Sequence, residues 1–250
     1  MTRKEHILQY QELSSNAWPA RTVILLNGWV VRLSEGVTKR ANSVLPIWYN
    51  GQNVLKDIKI VERLYRERNL PVIFQVPDFF EPDNLTETLM SSGYSCIDES
   101  LVMTAEVRDI KTTTNNEYMY SLESESSDHW FQALAHVSSY SEKALEGQRN
   151  IIERIPFPTG FLCAHVNNEV VGIGLGILER EYLGIFDLIV HPFYRQRGIG
   201  QSMVSYLVEW ASKNSVLNTY LQVQGDNSNA ISLYRKIGFK ECYRYRYFVI

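Results

Sequence analysis

Two apolar runs flank Asn27-Gly28 in TVILLNGWVVRLSEG, and that dipeptide accepts the positive φ of a tight hairpin turn, so a β-hairpin is expected there. In NVLKDIKIVERLYRERN, Val54, Leu55, Ile58, Ile60, Val61 and Leu64 recur at helical spacing. LPVIFQV reads as a buried strand, and NLTETLMSSGY as a short helix stopped by Gly93 at C′. SLVMTAEV is a strand, followed by the polar run KTTTNNEYMY. Beyond it, EYMYSLESE reads as a strand, and SSDHWFQALAHVSSYS and EKALEGQRNIIERI as helices, the first opened by serine and aspartate caps. Residues 159–191 hold three successive strands with a turn at Asn167-Asn168. HPFYRQRGIGQSMVSYLVEW becomes amphipathic after its second glycine; a strand TYLQVQ, a helix NAISLYRKIG and closing strands in FKECYRYRYFVI complete the chain. Strands joined by crossover helices define an α/β class with a mixed sheet.

The change of texture at residues 111–120 predicts domains 1–112 and 113–250. A weak internal echo supports two related halves, or is the coincidence of two ordinary strand–helix units. LPVIFQV…NLTETLMSSGY parallels NTYLQVQ…NAISLYRKIGF, with Leu89 standing where Tyr234 stands and Gly93-Tyr94 where Gly238-Phe239 stand. Arg40-Ala41-Asn42-Ser43 reads as a plain turn or as the wall of a cleft.

At 250 residues and 45% hydrophobic, the chain can bury a sizeable core. No apolar run approaches the roughly 20 residues that span a bilayer, and the N-terminus lacks a secretory pattern. No membrane association is expected. Cys96, Cys163 and Cys242 are scattered and odd in number, as suits reduced thiols in the cytoplasm. Five histidines show no metal-ligand spacing, so no metal is expected. Residues 183–250 carry eight Lys and Arg against four Asp and Glu, a net +4; the remainder, 17 against 24, is −7. That modest basic excess suits a small anionic ligand, not nucleic acid.

The chemistry concentrates where a buried strand becomes a helix, at Arg195-Gln196-Arg197-Gly198-Ile199-Gly200. The first turn of a helix presents unpaired N–H groups and the positive end of its dipole to an anion. Glycines let a phosphate reach that backbone, and arginines supply charge at the rim. No GxxxxGK[ST] is present, and Gly172-Ile173-Gly174-Leu175-Gly176 lacks the third glycine of a dinucleotide fingerprint. Those glycines read instead as one strand face kept thin.

Arg195 through Gly200 resembles the diphosphate loop Q/R-x-x-G-x-G/A of the GNAT superfamily of N-acetyltransferases. Asn227, Ala230, Leu233, Tyr234, Gly238 and Phe239 match that family's second signature, about 30 residues further on with a strand between. The resemblance covers residues 117–250, which it implies to be the catalytic domain; residues 1–112 would then be a degenerate GNAT-like domain. Acetyl-coenzyme A is the implied co-substrate, its acetyl group passing by direct attack to a primary amine on a small molecule or peptide. Residues Arg195, Gln196, Arg197, Gly198, Ile199, Gly200 and Gln201 would hold the diphosphate. Backbone groups of Leu188, Ile189 and Val190 would pair with the pantetheine arm, where the strands 184–191 and 219–224 splay. Asn227 would hold pantetheine or cap its helix, and Tyr234 would act as general acid.

A general base is harder to assign. Many relatives carry a glutamate where Gln222 stands, and the other common position falls near Gly184. Asp187, Glu179 and Glu181 are the nearby carboxylates; Asp187, inside an apolar strand, is the preferred one, with a water relay as the alternative. Without an efficient base, the chain would be a coenzyme-binding regulatory module. His191 reads as a strand-end histidine. Oligomeric state is open between monomer and homodimer.

Overall fold

The computed structural model describes residues 2–250. They form two compact units, residues 2–101 with Gln224–Asp226 and Cys242–Ile250, and Val102–Val223 with Asn227–Glu241. The division between the compact units falls at Leu101/Val102, inside one continuous strand. Residues 242–250, expected in the second domain, group with the first unit.

In the first unit α1 (Arg3–Ala17) precedes β1 (Thr22–Leu26), β2 (Trp29–Leu33), β3 (Val44–Leu45), α2 (Val54–Arg66), β4 (Ile73–Pro77), α3 (Leu85–Ser91) and β5 (Ser95–Glu106). The second holds β6 (Met119–Glu123), α4 (Asp128–Val137), α5 (Glu142–Ile152), β7 (Thr159–Val166), β8 (Glu169–Glu179), β9 (Tyr182–Val190), α6 (Ile199–Lys213), β10 (Asn218–Gln224) and α7 (Ser228–Ile237). One strand, β11 (Lys240–Val249), closes the chain where the tail suggested more than one.

The hairpin β1–β2 turns at Asn27 (φ 48°) and Gly28 (φ 92°), with Leu26 opposite Trp29. β2 pairs antiparallel with β3, β3 parallel with β4, and β4 antiparallel with β11. Trp29, Ile58, Val61, Phe74, Leu85 and Leu89 meet in its apolar core. α3 ends in a Schellman pair, Gly93 N–H to Met90 O and Tyr94 N–H to Leu89 O, with Gly93 at φ 92°. Helix α1 had no readable pattern because Gln11 and Ser14 are buried beside Ile7 and Leu13. Its start is a capping box between Thr2 and Glu5. Arg40–Ser43 is a turn buried from Ala41 to Ser43: the Asn42 side chain accepts from Ser34 N and donates to Thr38 O, and Ser43 accepts from the buried Arg32.

In the second unit β6, β7, β8 and β9 pair antiparallel in sequence order, and β9 pairs parallel with β10. α6 makes the crossover and buries Met203, Val204, Leu207, Val208 and Ala211. The thin face read from the sequence is real. A Cβ on Gly172 would lie 3.0 Å from Met203 Sδ, one on Gly174 3.5 Å from Met203 Cε, and one on Gly176 2.9 Å from Leu207 Cδ2 and 3.0 Å from Trp210. The missing side chains let α6 lie close on β8. Gly176→Val is therefore expected to cost about 1–3 kcal/mol by overpacking, read as a lower denaturant midpoint; an unchanged midpoint would show that the helix is not seated by this face.

Candidate active site

β9 and β10 pair only from Tyr182–Asn218 to Ile185–Leu221. Beyond that both strands continue, to Val190 and Gln224, without pairing to each other. The cause lies on the other edge of β9. Phe186 is opposite Leu175 and Ile189 opposite Ile173, so Gly174 alone faces Asp187 and Leu188. That extra residue is a β-bulge, and Asp187 sits in it at φ 42°. A bulge bends its strand and sharpens the twist, which carries β9 away from its parallel neighbour.

A cleft of about 590 Å³ opens beside the diverging part of β9. Leu188, Ile189 and Val190 line one wall; Gln196, Gly198, Ile199, Gly200 and Gln201 form one end; Asn227, Leu233 and Tyr234 stand on α7. Gly198 is the N-cap of α6 at φ 79°, ψ −2°, with no side chain capping the helix. The N–H groups of the first turn have no helical acceptors, so they and the dipole favour an anion at this end. A Cβ on Gly198 would meet nothing within 4 Å: glycine is required by its dihedral, and the space before it is open. At Gly200 a Cβ would touch Leu233 at 3.4 Å and Val190 at 3.8 Å, ordinary contacts.

The two arginines differ. Arg195 lines the cleft, and its Nε donates to Val190 O at 3.1 Å, tying loop to strand end. Arg197 does not line it: its guanidinium lies 5.2 Å from the Tyr194 ring centroid and donates to Phe193 O. The aromatic face of Tyr194 holds that side chain away from the cleft.

On α7 the Asn227 side chain accepts from Ala230 N at 3.1 Å, so it caps the helix as well as lining the cleft. Tyr234 is 8% exposed and packs edge-on against Phe239 at 5.8 Å. Burial pushes its phenol up to about 12, which keeps it a protonated donor at neutral pH. Among the sequence-singled carboxylates, Asp187 is half-buried in the bulge, next to the cleft wall but not lining it. Glu179 and Glu181 flank the β8–β9 turn, nine and seven residues before Leu188, so the nearer one is about 23 Å of strand away at about 3.3 Å per residue. They are too remote to serve the cleft. A side chain on Gly184 would meet Phe186 and the Tyr220 hydroxyl at 2.7 Å, leaving no room for a carboxylate. Gln222 follows the last β9–β10 pair, in the splayed segment.

Ala230, part of the second signature, also lines the cleft, as do Tyr194, Asn229 and Lys236, which were not singled out from sequence. Asn229, Leu233 and Lys236 lie at i, i+4, i+7, one helical stripe that could have revealed them. His191 stacks on His136 at 5.3 Å and does not line the cleft. A larger groove, about 840 Å³, lies between residues 106–114 and the outer face of α6; it has no helix N-terminus and no glycine-presented amides. Among the described residues no group of three or more His, Cys, Asp or Glu could hold a metal. None of their helices is long and apolar enough to cross a membrane.

A splayed parallel pair, a bulged strand and a glycine-started helix meet at this cleft, and comparison with known proteins places the fold in the acetyltransferase class. Residues 6–248 match the family described as "Probable histone acetyltransferase Rv0428c C-terminal". The chain is 30% identical over 246 residues to the uncharacterized N-acetyltransferase YobR of Bacillus subtilis, covering 97% of this chain and 98% of that one. It is similar in fold to a GCN5-related N-acetyltransferase from Kribbella flavida, with a TM-score of 0.73, 12% identity and coverage of 98% and 93%. A tandem GNAT protein from the clavulanic acid biosynthesis pathway gives a TM-score of 0.62 at 11% identity, over 78% and 67% of the two chains. The chain belongs to the GNAT family of N-acetyltransferases.

Proposed function

We propose that this protein transfers an acetyl group from acetyl-coenzyme A to a primary amine by direct attack. The observation that carries the reading is one cleft with a free helix N-terminus at one end and a buried, protonated phenol on its wall. The diphosphate sits on the amides of Gly198, Ile199, Gly200 and Gln201, with Arg195 at the rim. The edge of Leu188–Val190 that no longer pairs with β10 receives the pantetheine arm as an added strand, which brings the thioester toward Tyr234. The amine nitrogen attacks the thioester carbon, and a backbone N–H at the bulge stabilises the oxygen as charge develops. Collapse breaks the carbon–sulfur bond; the thiolate takes a hydrogen bond or a proton from Tyr234, and the amine proton leaves through Asp187 or a water.

The first unit reads as a degenerate copy of the same half. Its α3 is preceded by Asn84 and followed by Gly93, as α7 is preceded by Asn227 and followed by Gly238, but Leu89 replaces the tyrosine. The free thiols Cys96, Cys163 and Cys242 suit a cytoplasmic protein working as a monomer or homodimer, without nucleic acid or membrane.

Release of free coenzyme A is measured over a panel of amines: amino acids, polyamines, aminoglycosides, and peptides with free N-termini or lysines. Turnover with at least one is expected. Gln222, an amide in the splayed segment, favours a second reading, a regulatory module; tight coenzyme binding with no turnover on any amine selects it.

A further inference from the structure

Behind the phosphate-loop end of the cleft, residues 111–117 run as a strap along the second unit. Lys111 N–H donates to Ile237 O at 2.9 Å, Thr113 N–H to Ser205 Oγ at 2.9 Å, and Asn115 N–H to Ser202 Oγ at 2.9 Å. Ser202 is fully buried, and its hydroxyl passes the link on to Gly198 O at 3.3 Å. The Asn115 side chain is held at both ends: Oδ1 accepts from Glu117 N at 3.0 Å, and Nδ2 donates to Arg197 O at 2.9 Å.

That last bond acts on one peptide group. Arg197 C=O and Gly198 N–H share a trans plane and point in opposite directions. A carbonyl pulled toward Asn115 turns the Gly198 N–H the other way, and Gly198 lines the cleft. The restraint matters because glycine enters positive and negative φ at similar cost, so the 197–198 peptide could otherwise rotate. Gln196, at φ 61°, makes the same loop left-handed one residue earlier. We infer that Asn115 is a positioning residue for the diphosphate end of the donor, orienting the Gly198 amide without touching the ligand. The inference rests on the acetyl-donor reading above.

The test compares three ligands on Asn115→Ala and wild type: coenzyme A, ADP, which keeps a diphosphate but no pantetheine, and pantetheine, which has no diphosphate. Loss of one neutral hydrogen bond that preorganises the loop predicts about fivefold to tenfold weaker binding of coenzyme A and ADP alike. Pantetheine affinity, followed by its displacement of a fluorescent thiol analogue, stays at the wild-type value. Equal weakening of all three ligands would mean general loosening and overturn the assignment, as would an unchanged coenzyme A affinity. Wild-type protein that takes up neither coenzyme A nor ADP would remove the donor reading itself, a separate failure. Should Asn115→Ala not fold, Asn115→Ser serves: it keeps a polar side chain at the turn but is too short to reach the Arg197 carbonyl.

Discussion

Gly198→Glu abolishes coenzyme A binding at concentrations that saturate the wild type, as titration calorimetry on the folded protein is expected to show. Two effects add. The N-cap sits at φ 79°, and a side chain in that left-handed conformation costs about 1 kcal/mol. The new carboxylate would also project into the open space before the residue, where the proposed donor would bring a phosphate to the helix N-terminus. Two unit charges about 4 Å apart near a protein surface repel by about 4 kcal/mol. A loss of at least about a hundredfold in affinity follows. Gly198→Ala separates the effects, since it carries the dihedral cost without the charge, and should weaken binding only about fivefold. If Gly198→Glu binds coenzyme A as the wild type does, the anion is not held at this end of α6.

The parts of the site that were legible in the sequence are local ones. A glycine at a strand-to-helix junction, or an asparagine three residues before the amide it caps, declares its role through its neighbours. So Gly198 and Asn227 could be read where they stand, and period-two glycines marked a thin strand face, though not the helix that packs on it. What escaped depends on partners distant along the chain. The bulge at Asp187 exists only in the register of β9 against β8, where Gly174 faces two residues. The outward course of Arg197 is set by the ring of Tyr194 and not by the loop pattern. Asn115 reaches a carbonyl 82 residues away, from a polar run that carries no periodicity. α1 was hidden because a helix that buries glutamine and serine beside isoleucine and leucine has no apolar stripe. Its Thr2-x-x-Glu5 cap was the one readable trace. The polar run at 111–117 hid its partners for a related reason: its texture suggests a linker, yet it is bonded to α6 and α7.

Tyr234→Phe is expected to lower kcat by about tenfold to a hundredfold while leaving the KM for acetyl-coenzyme A within about twofold, because only the bond to a developing charge is lost. The magnitude follows from the phenol's environment. Burial raises it to about 12, well above an ordinary thiol near 8.5, so complete proton transfer to the thiolate is uphill. A hydrogen bond to a departing anion, about 1.5–3 kcal/mol, is what such a phenol can supply. The same position sets the pH behaviour. A phenol near 12 stays protonated to beyond pH 10, so the wild-type rate should show no alkaline decline from this group in the accessible range. The acidic limb, which reports deprotonation of the amine or its base, should keep its midpoint in the variant. Stability is barely affected, since the ring and its edge-on contact with Phe239 remain. An unchanged kcat would sink the assignment; a loss of kcat with a matching fall in thermal midpoint would make the hydroxyl a structural group instead.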